Sequence, residues 1–376
     1  MISPFERRTL RRIIKLASQF GHTARPNPPA VAAILKGTTE IAIGRHRGPG
    51  TPHAEVDALR TAGTLAHGAT MVVTLEPCTH WGANPPCIDA IISSGIRRVL
   101  FPILDPNPIV RAHPAKDQLE AAGIEVEYGA LSDLASIANA EFLTHIATKR
   151  PFVTVKLAAS LDGKIATSTG ESQWISGPVA ATYVQQMRHN CDAVMVGIGT
   201  ALTDNPRLTD RSGKARSRPI RKVILDPRAE LPLSARVFED TVPNDVIVVI
   251  SNTAPAERVL ALQTKATVIL IPHPTLRAQW NAILRPLYDL EIYHILLEGG
   301  TAVVTDAIDA GVVDQLTVIH GPILLGSSSF SMYSTAQTLS SAIKLHHVRY
   351  RRAGHDMITT GFINNPTHLI RSTHHP

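Results

Sequence analysis

Thr70-Met71-Val72-Val73-Thr74-Leu75 runs directly into Glu76-Pro77-Cys78-Thr79-His80-Trp81-Gly82-Ala83-Asn84-Pro85-Pro86-Cys87. The opening run is apolar and β-branched and reads as a strand. Proline and glycine break the next stretch into a loop, and Pro86 to Ser94 follows with helical spacing. Upstream, His53-Ala54-Glu55 opens another helical pattern, again after a strand. Short strands alternating with helices mark α/β architecture.

The same rhythm extends in both directions. Ala30–Leu35, a Lys36-Gly37-Thr38-Thr39 turn and Glu40–Arg45 read as a hairpin, Arg98–Pro102 as a further strand, and Ser132–Thr148 as one long helix. At the front, Ser3-Pro4-Phe5-Glu6 has the form of a capping box with proline at the first helical position, and Leu10, Ile13, Ile14 and Ala17 recur at helical spacing. Together these predict one three-layer α/β/α domain over residues 1–149. Lys149-Arg150-Pro151 interrupts the pattern, because the residue before proline is pushed out of the helical region. A second α/β domain is expected over 150–376, with strands at Phe152–Ala159, Ala193–Gly197, Arg221–Leu225, Asp245–Ser251, Thr267–Ile271, Ile292–Glu298 and Asp314–His320, and a loose tail from Thr367 to Pro376.

Size and composition agree with two domains. A chain of 376 residues exceeds the length at which single cores stop growing, and 44% hydrophobic against 18% charged residues is ordinary for folded protein. No apolar run is long enough for a membrane span, so a cytoplasmic protein is expected, without membrane partners. Arg7, Arg8, Arg11, Arg12 and Lys15 make the first helix basic, as a transit peptide or membrane-surface helix would be, but a packed, capped helix explains the same residues. The net charge of +6 and the run Arg211, Lys214, Arg216, Arg218, Arg221, Lys222 raise nucleic acid as a partner. That run has loop punctuation and no interleaved aromatics, so a solvated loop is expected instead. Three cysteines are too few for a disulfide framework.

Chemistry concentrates at His53, Cys78 and Cys87. One imidazole and two thiolates suit Zn²⁺ with a coordination position left open, and an open position means catalysis. A lone histidine or cysteine pair is more often structural, yet two of the three cysteines share one motif downstream of His-x-Glu. Glu55 is not needed as a ligand and has the place of a general base. Zn²⁺ lowers the pKa of its water to about 7, and the pattern follows the zinc-deaminase logic in which a glutamate shuttles protons. His80 lies between the ligands and suits either metal or substrate, and Cys191 reads as core.

Evidence for chemistry is thinner in the second half. Gly197-Ile198-Gly199-Thr200 follows a strand but lacks the third glycine of a dinucleotide fingerprint. Glu298-Gly299-Gly300-Thr301 runs from a strand through two glycines into a helical pattern, where exposed N–H groups can bind phosphate or the glycines can simply serve packing.

The spacing from Cys78 to Cys87 resembles the bifunctional deaminase-reductases of riboflavin biosynthesis. So do Pro26-Asn27-Pro28, Gly50-Thr51-Pro52-His53-Ala54-Glu55, Asp105-Pro106-Asn107-Pro108 and Lys156-Leu157-Ala158-Ala159-Ser160-Leu161-Asp162-Gly163-Lys164, and the likeness spans nearly the whole chain. It implies a cytidine-deaminase-like domain followed by a dihydrofolate-reductase-like domain that uses NADPH. The implied reaction is hydrolytic deamination of a phosphoribosylamino diaminopyrimidinone to the uracil, then reduction of its ribosyl group to ribityl. By the same likeness His53, Cys78 and Cys87 hold zinc, Glu55 shuttles the proton, and Asn27 and His80 contact the pyrimidine.

Gly170-Glu171-Ser172-Gln173-Trp174-Ile175-Ser176, Arg188, Gly197–Thr200, Asp204-Asn205-Pro206, Leu208 and Arg211 also fit the reductase pattern. The resemblance then implies that Ala158, Trp174, Thr200, Asp204, Gly300, Thr301, Ala302, Val303, Val304, Thr305 and Asp306 bind NADPH. Ser172, Arg188, Leu208, Arg211 and Glu298 would face the substrate, the two arginines offering planar forks to its phosphate. Lys156 and Glu298 are candidates for a proton relay or, equally, a buried ion pair. A homo-oligomer is expected. The chain departs from the family at Pro29-Ala30-Val31-Ala32-Ala33 and Arg111-Ala112-His113-Pro114, where glycines are usual; non-glycine residues tolerate positive φ poorly, so these changes bear on loop conformation and the deaminase's substrate affinity, not on its metal. Two other readings remain at this level, a nucleic-acid or nucleoside deaminase with an appended domain and a degenerate zinc-binding protein.

Overall fold

In the computed structural model residues 1–172, 175–277, 279–335 and 338–371 are described. The chain divides into two compact units, one of Met1–Lys149 together with the chain from Pro366 onward, the other of Arg150–Asn365. The sequence reading carried the second unit to residue 376. Instead the chain returns to the first unit, where His368–Arg371 is helical and Leu369 packs against its core; residues 372–376 lie outside the described residues.

In the first unit β1 (Val31–Lys36), β2 (Thr39–Arg45), β3 (Thr70–Val73), β4 (Arg98–Phe101) and β5 (Glu125–Tyr128) form one sheet in the order β2-β1-β3-β4-β5. The hairpin and the β1–β3 pair are antiparallel, and β3, β4 and β5 run parallel. Alternation along each strand splits the core. Ala32, Ile34, Met71, Val73, Val99 and Phe101 face one helical layer, while Val31, Ala33, Leu35, Val72 and Leu100 face the other with Leu10, Ile13 and Ile14 of the first helix. That first helix is packed and capped as expected: Ser3 Oγ accepts from the Glu6 amide at 3.2 Å, and the Ser3 amide donates to Glu6 Oε2 at 2.7 Å.

Two expectations change. The single helix over Ser132–Thr148 is two helices, Ser132–Ala138 and Ala140–Thr148, because Asn139 leaves helical geometry (φ −105°, ψ 12°) and turns its side-chain amide to the Ala135 carbonyl at 2.9 Å. The alanines that replace family glycines are unstrained. Ala32 and Ala33 lie inside β1, Arg111 and Ala112 end the helix Pro108–Ala112, and neither segment contains a residue of positive φ.

The second unit is built on nine strands in the order β11-β10-β9-β8-β12-β6-β13-β16-β15. They are β6 (Phe152–Ala159), β8 (Ala193–Gly197), β9 (Arg221–Leu225), β10 (Val246–Ser251), β11 (Thr267–Ile271), β12 (His294–Leu297), β13 (Gln315–His320), β15 (His346–Ala353) and β16 (Asp356–Phe362); β7 (Lys164–Ala166) and β14 (Phe330–Ser331) pair separately. Strands β11 through β13 in that order are parallel, and β16 and β15 add an antiparallel edge. The edge hairpin escaped sequence reading because β15 is exposed at most positions and offers no apolar alternation.

The basic run is not a purely solvated loop. Arg216 caps the end of the helix Pro178–Asn190, donating to the carbonyls of Arg188, His189 and Cys191 at 2.7–2.9 Å, and Lys222 is buried with its Nζ on the Val237 carbonyl at 2.8 Å. Cys191 is buried in the core as expected. Among the described residues no helix is long and apolar enough to cross a membrane.

The helix Ala54–Ala62 lies directly on the β2 backbone at Gly44. A Cβ there would stand 2.2 Å from both the Ala54 carbonyl oxygen and the Ala58 nitrogen. Gly44→Ala is therefore expected to lower stability by about 1–3 kcal/mol, the usual scale for overpacking, as read by urea titration; an unchanged midpoint would show that the helix does not need this approach.

Candidate active sites in the two units

His53 is the N-cap of the helix Ala54–Ala62, and Cys87 is the first residue of the helix Cys87–Ser93. Cys78 lies in the loop after β3. His53 Nδ1 is 3.1 Å from Cys87 Sγ and 3.4 Å from Cys78 Sγ, the Cys87 amide donates to Cys78 Sγ at 3.3 Å, and the three donor atoms all lie within 4.8 Å of one another. One borderline nitrogen and two soft sulfurs in that space fit zinc. A hydrogen bond donated by the Cys87 thiol, with His53 beside it, draws the Cys78 thiol down to about 4; holding that donated proton, and then burial, push the Cys87 thiol up. Glu55 follows on the same helical turn and is only 5% exposed, and burial, then the charge of Cys78, raise its carboxyl to about 7.

Neighbouring contacts hold the ligand loops. Glu76 precedes Pro77-Cys78 and accepts from the amides of Asp105 and Ala115, each at 2.9 Å, so one carboxylate ties the ligand loop to the chain after β4. Asn84 Nδ2 donates to the Thr51 carbonyl at 3.0 Å, anchoring the same loop to the segment before His53. Asn27 comes to this site with its Nδ2 2.9 Å from Nε2 of His46, whose ring stands edge-on to His53 at 5.2 Å. His80 lies on the ligand loop, and its Nδ1 is buried without a protein partner, as is Thr79 Oγ1. Sequence reasoning missed His46 and Glu76; the signal available for Glu76 was its place immediately before Pro77-Cys78.

The second unit holds a cavity of about 1100 Å³. Ala158, Thr200, Asp204, Gly300, Thr301, Ala302, Val303, Thr305 and Asp306 line it, as do Ser172, Arg188, Leu208, Glu298 and Lys156. Val304 does not, because helical periodicity turns it into the core. Arg211 is not on the wall; its side chain is exposed and its amide donates to Gln185 Oε1 at 2.8 Å, though its charge still reaches Glu298. Trp174 and Gln173 lie outside the described residues.

Two features shape the cavity. Gly197 at the end of β8 abuts the helix Thr301–Asp309, where a Cβ would meet Val303 Cγ2 at 2.7 Å, so the helix start is seated on the strand ends. Just before that helix start, Glu298 is gripped bidentately by Arg188, Nε to Oε1 at 2.7 Å and Nη2 to Oε2 at 3.0 Å, and Arg188 gives Nη1 to the Thr209 carbonyl at 3.1 Å. The fork expected to meet a phosphate is thus engaged within the protein. Lys156 Nζ is 4.0 Å from the same carboxylate. Burial alone would raise the Glu298 pKa, but Arg188 and Lys156 outweigh it and hold it below the usual glutamate range. Leu208, at the cavity wall, is held at φ +51°, a conformation that costs a leucine about 1 kcal/mol or more.

Comparison with known proteins matches both units. The RibD C-terminal domain family matches residues 151–359, and the cytidine and deoxycytidylate deaminase zinc-binding region matches residues 5–103. The riboflavin biosynthesis protein RibD of Aquifex aeolicus is 36% identical over 358 residues, spanning 95% of this chain and 98% of that protein. The Escherichia coli RibD is 34% identical over 360 residues, 92% and 96% respectively. The chain belongs to the RibD family. RibD proteins are bifunctional deaminase-reductases of riboflavin biosynthesis, with zinc and NADPH as cofactors. Two solved structures agree over 95% of this chain and 98% of theirs: Acinetobacter baumannii RibD, form 1, with a TM-score of 0.81 at 33% identity, and a Thermotoga maritima diaminohydroxyphosphoribosylaminopyrimidine deaminase/5-amino-6-(5-phosphoribosylamino)uracil reductase, with a TM-score of 0.81 at 34% identity. The RibD fold, a cytidine-deaminase-like domain followed by a reductase domain, is the one seen here.

The Arg188–Glu298 pair is part-buried, with each side chain 12% exposed, so removing one partner leaves the other unmatched. Arg188→Ala is expected to cost about 1–3 kcal/mol in denaturant unfolding of the second unit, the scale for leaving a charged hydrogen-bonding partner unmet. Because the Glu298 pKa is depressed in the folded state, its contribution is full above the ordinary glutamate value and is lost as pH falls through the lowered one. The variant's penalty should therefore shrink in acid; a penalty that stays constant into strong acid would contradict the pairing.

Proposed function

We propose that the first unit carries the deaminase and the second the reductase, acting in that order on a diaminopyrimidinone that bears a phosphoribosylamino group. The observation that supports the first assignment most directly is the convergence of His53, Cys78 and Cys87 with a buried carboxylate, Glu55, on the same helical turn as His53. Zinc held there supplies a Lewis acid that makes water nucleophilic near neutral pH. Glu55 takes one water proton on its carboxylate and passes it to the ring nitrogen, then takes the hydroxyl proton of the ring adduct and passes it to the amino group, which departs as ammonia. Asn27 and His80 hold the pyrimidine, and the orphaned Nδ1 of His80 supports that placement.

For the second unit, the helix Thr301–Asp309 presents its first-turn N–H groups beside Gly299 and Gly300 on the cavity wall, an arrangement that favours a cofactor phosphate. Ala158, Thr200 and Asp204 complete that wall, and by the family resemblance Trp174 contacts NADPH with them. NADPH supplies the hydride. Ser172 and Leu208 position the sugar, Arg211 provides charge for its phosphate, and Arg188 acts chiefly by holding Glu298. Lys156, held near that carboxylate, is the group we assign as proton relay. A cytoplasmic setting suits the three free cysteines, and a homo-oligomer remains part of the proposal, read by sedimentation.

Glu55→Gln is expected to keep its zinc and lose ammonia release by a factor of about 10² or more, followed with the diaminopyrimidinone phosphate while NADPH oxidation is read in parallel. Substantial deamination by the zinc-loaded variant would remove Glu55 from the proposed role. Arg211→Ala should raise the reductase KM for substrate about tenfold or more and leave that for NADPH nearly unchanged; equal losses for both would displace the phosphate assignment.

A further inference from the structure

His46 is buried beside the metal-binding set without belonging to it. Its Nδ1 lies 3.2 Å from the Pro52 carbonyl oxygen, which can only accept, so the ring proton sits on Nδ1. Thr51 Oγ1 is 3.5 Å from the same nitrogen and directs its own proton to the Gly48 carbonyl at 2.7 Å, so it too presents a lone pair to Nδ1. Nε2 then carries the lone pair, and Asn27 Nδ2 stands 2.9 Å away. The carboxamide must donate through its nitrogen. That choice fixes which end of Asn27 is which, and leaves Oδ1 as the end able to accept.

We propose that His46 is a positioning residue of the deaminase site: it locks the Asn27 carboxamide so that Oδ1 accepts a hydrogen bond from an N–H or amino group on the pyrimidine edge. The proposal deepens the function assigned above and rests on it. It also defines the substrate class at this contact. A ring edge bearing donors, as an aminopyrimidinone has, is accepted, while an edge presenting only oxygen or unprotonated nitrogen meets lone pair against lone pair.

Two substitutions separate positioning from packing. His46→Leu removes the acceptor, and His46→Gln offers a side-chain oxygen in its place. The leucine variant is expected to bind zinc like wild type by elemental analysis but to show a KM for the diaminopyrimidinone phosphate raised about tenfold or more, with a smaller change in kcat; the glutamine variant should recover most of that loss. A leucine variant with wild-type KM, or a glutamine variant no better than leucine, overturns the proposal. Nitrogen-15 NMR of histidine-labelled, zinc-loaded wild-type protein gives a reading independent of any variant's folding. A proton on His46 Nδ1 supports the proposal, and a proton on Nε2 overturns it, since Asn27 would then turn its oxygen toward the ring. Failure of the wild-type protein to release ammonia from this substrate would count against the function itself, and the tautomer would still decide the role of His46.

Discussion

Contact between the helix Ala54–Ala62 and the β2 backbone at Gly44 governs the geometry of the first unit. A helix cannot approach a strand so closely past any side chain, and the approach is what places the cap residue His53 and the first-turn Glu55 opposite the start of the helix Cys87–Ser93. The Arg45 amide donating to Asp57 Oδ2 at 3.0 Å fastens the same helix to the end of β2. From there the remaining parts follow: Glu76 bridges two loops, Asn84 ties the ligand loop to Thr51, and His46 connects Asn27 to the metal-binding set. Polar side chains anchored to backbone amides and carbonyls carry most of the positioning.

The second unit solves its electrostatic problem differently. A carboxylate as shielded as Glu298 would be costly alone, and Arg188 and Lys156 share its compensation. The bidentate geometry draws a guanidinium away from direct phosphate recognition and leaves the cavity wall with a cluster of two cations on one carboxylate. Arg216 extends that order by capping the helix that carries Arg188.

Much of this was legible in the sequence because local pattern and tertiary role coincide. β6, β8 and β9 were bounded correctly since parallel strands covered on both faces read as near-continuous apolar runs, and β11, at the sheet edge, was bounded by its own apolar run. The metal set was legible because its residues are chemically rare and sit at element ends. Reading failed where a side chain overrides periodicity, as at Asn139, or where a strand has no buried face, as in β15. His46, Arg216 and the Arg188–Glu298 grip were hidden for another reason. Their partners are distant in sequence or are backbone carbonyls, which no residue pattern reveals.

The return of the chain from Pro366 to the first unit, with Leu369 against a core that begins at Leu10, makes that unit discontinuous in time as well as in sequence. On the ribosome, domains generally fold as they emerge, N-terminal first. Here the earliest-made unit waits for its last apolar contact until all of Arg150–Asn365 has been synthesised, so completion of the metal-binding half is gated by translation of the other.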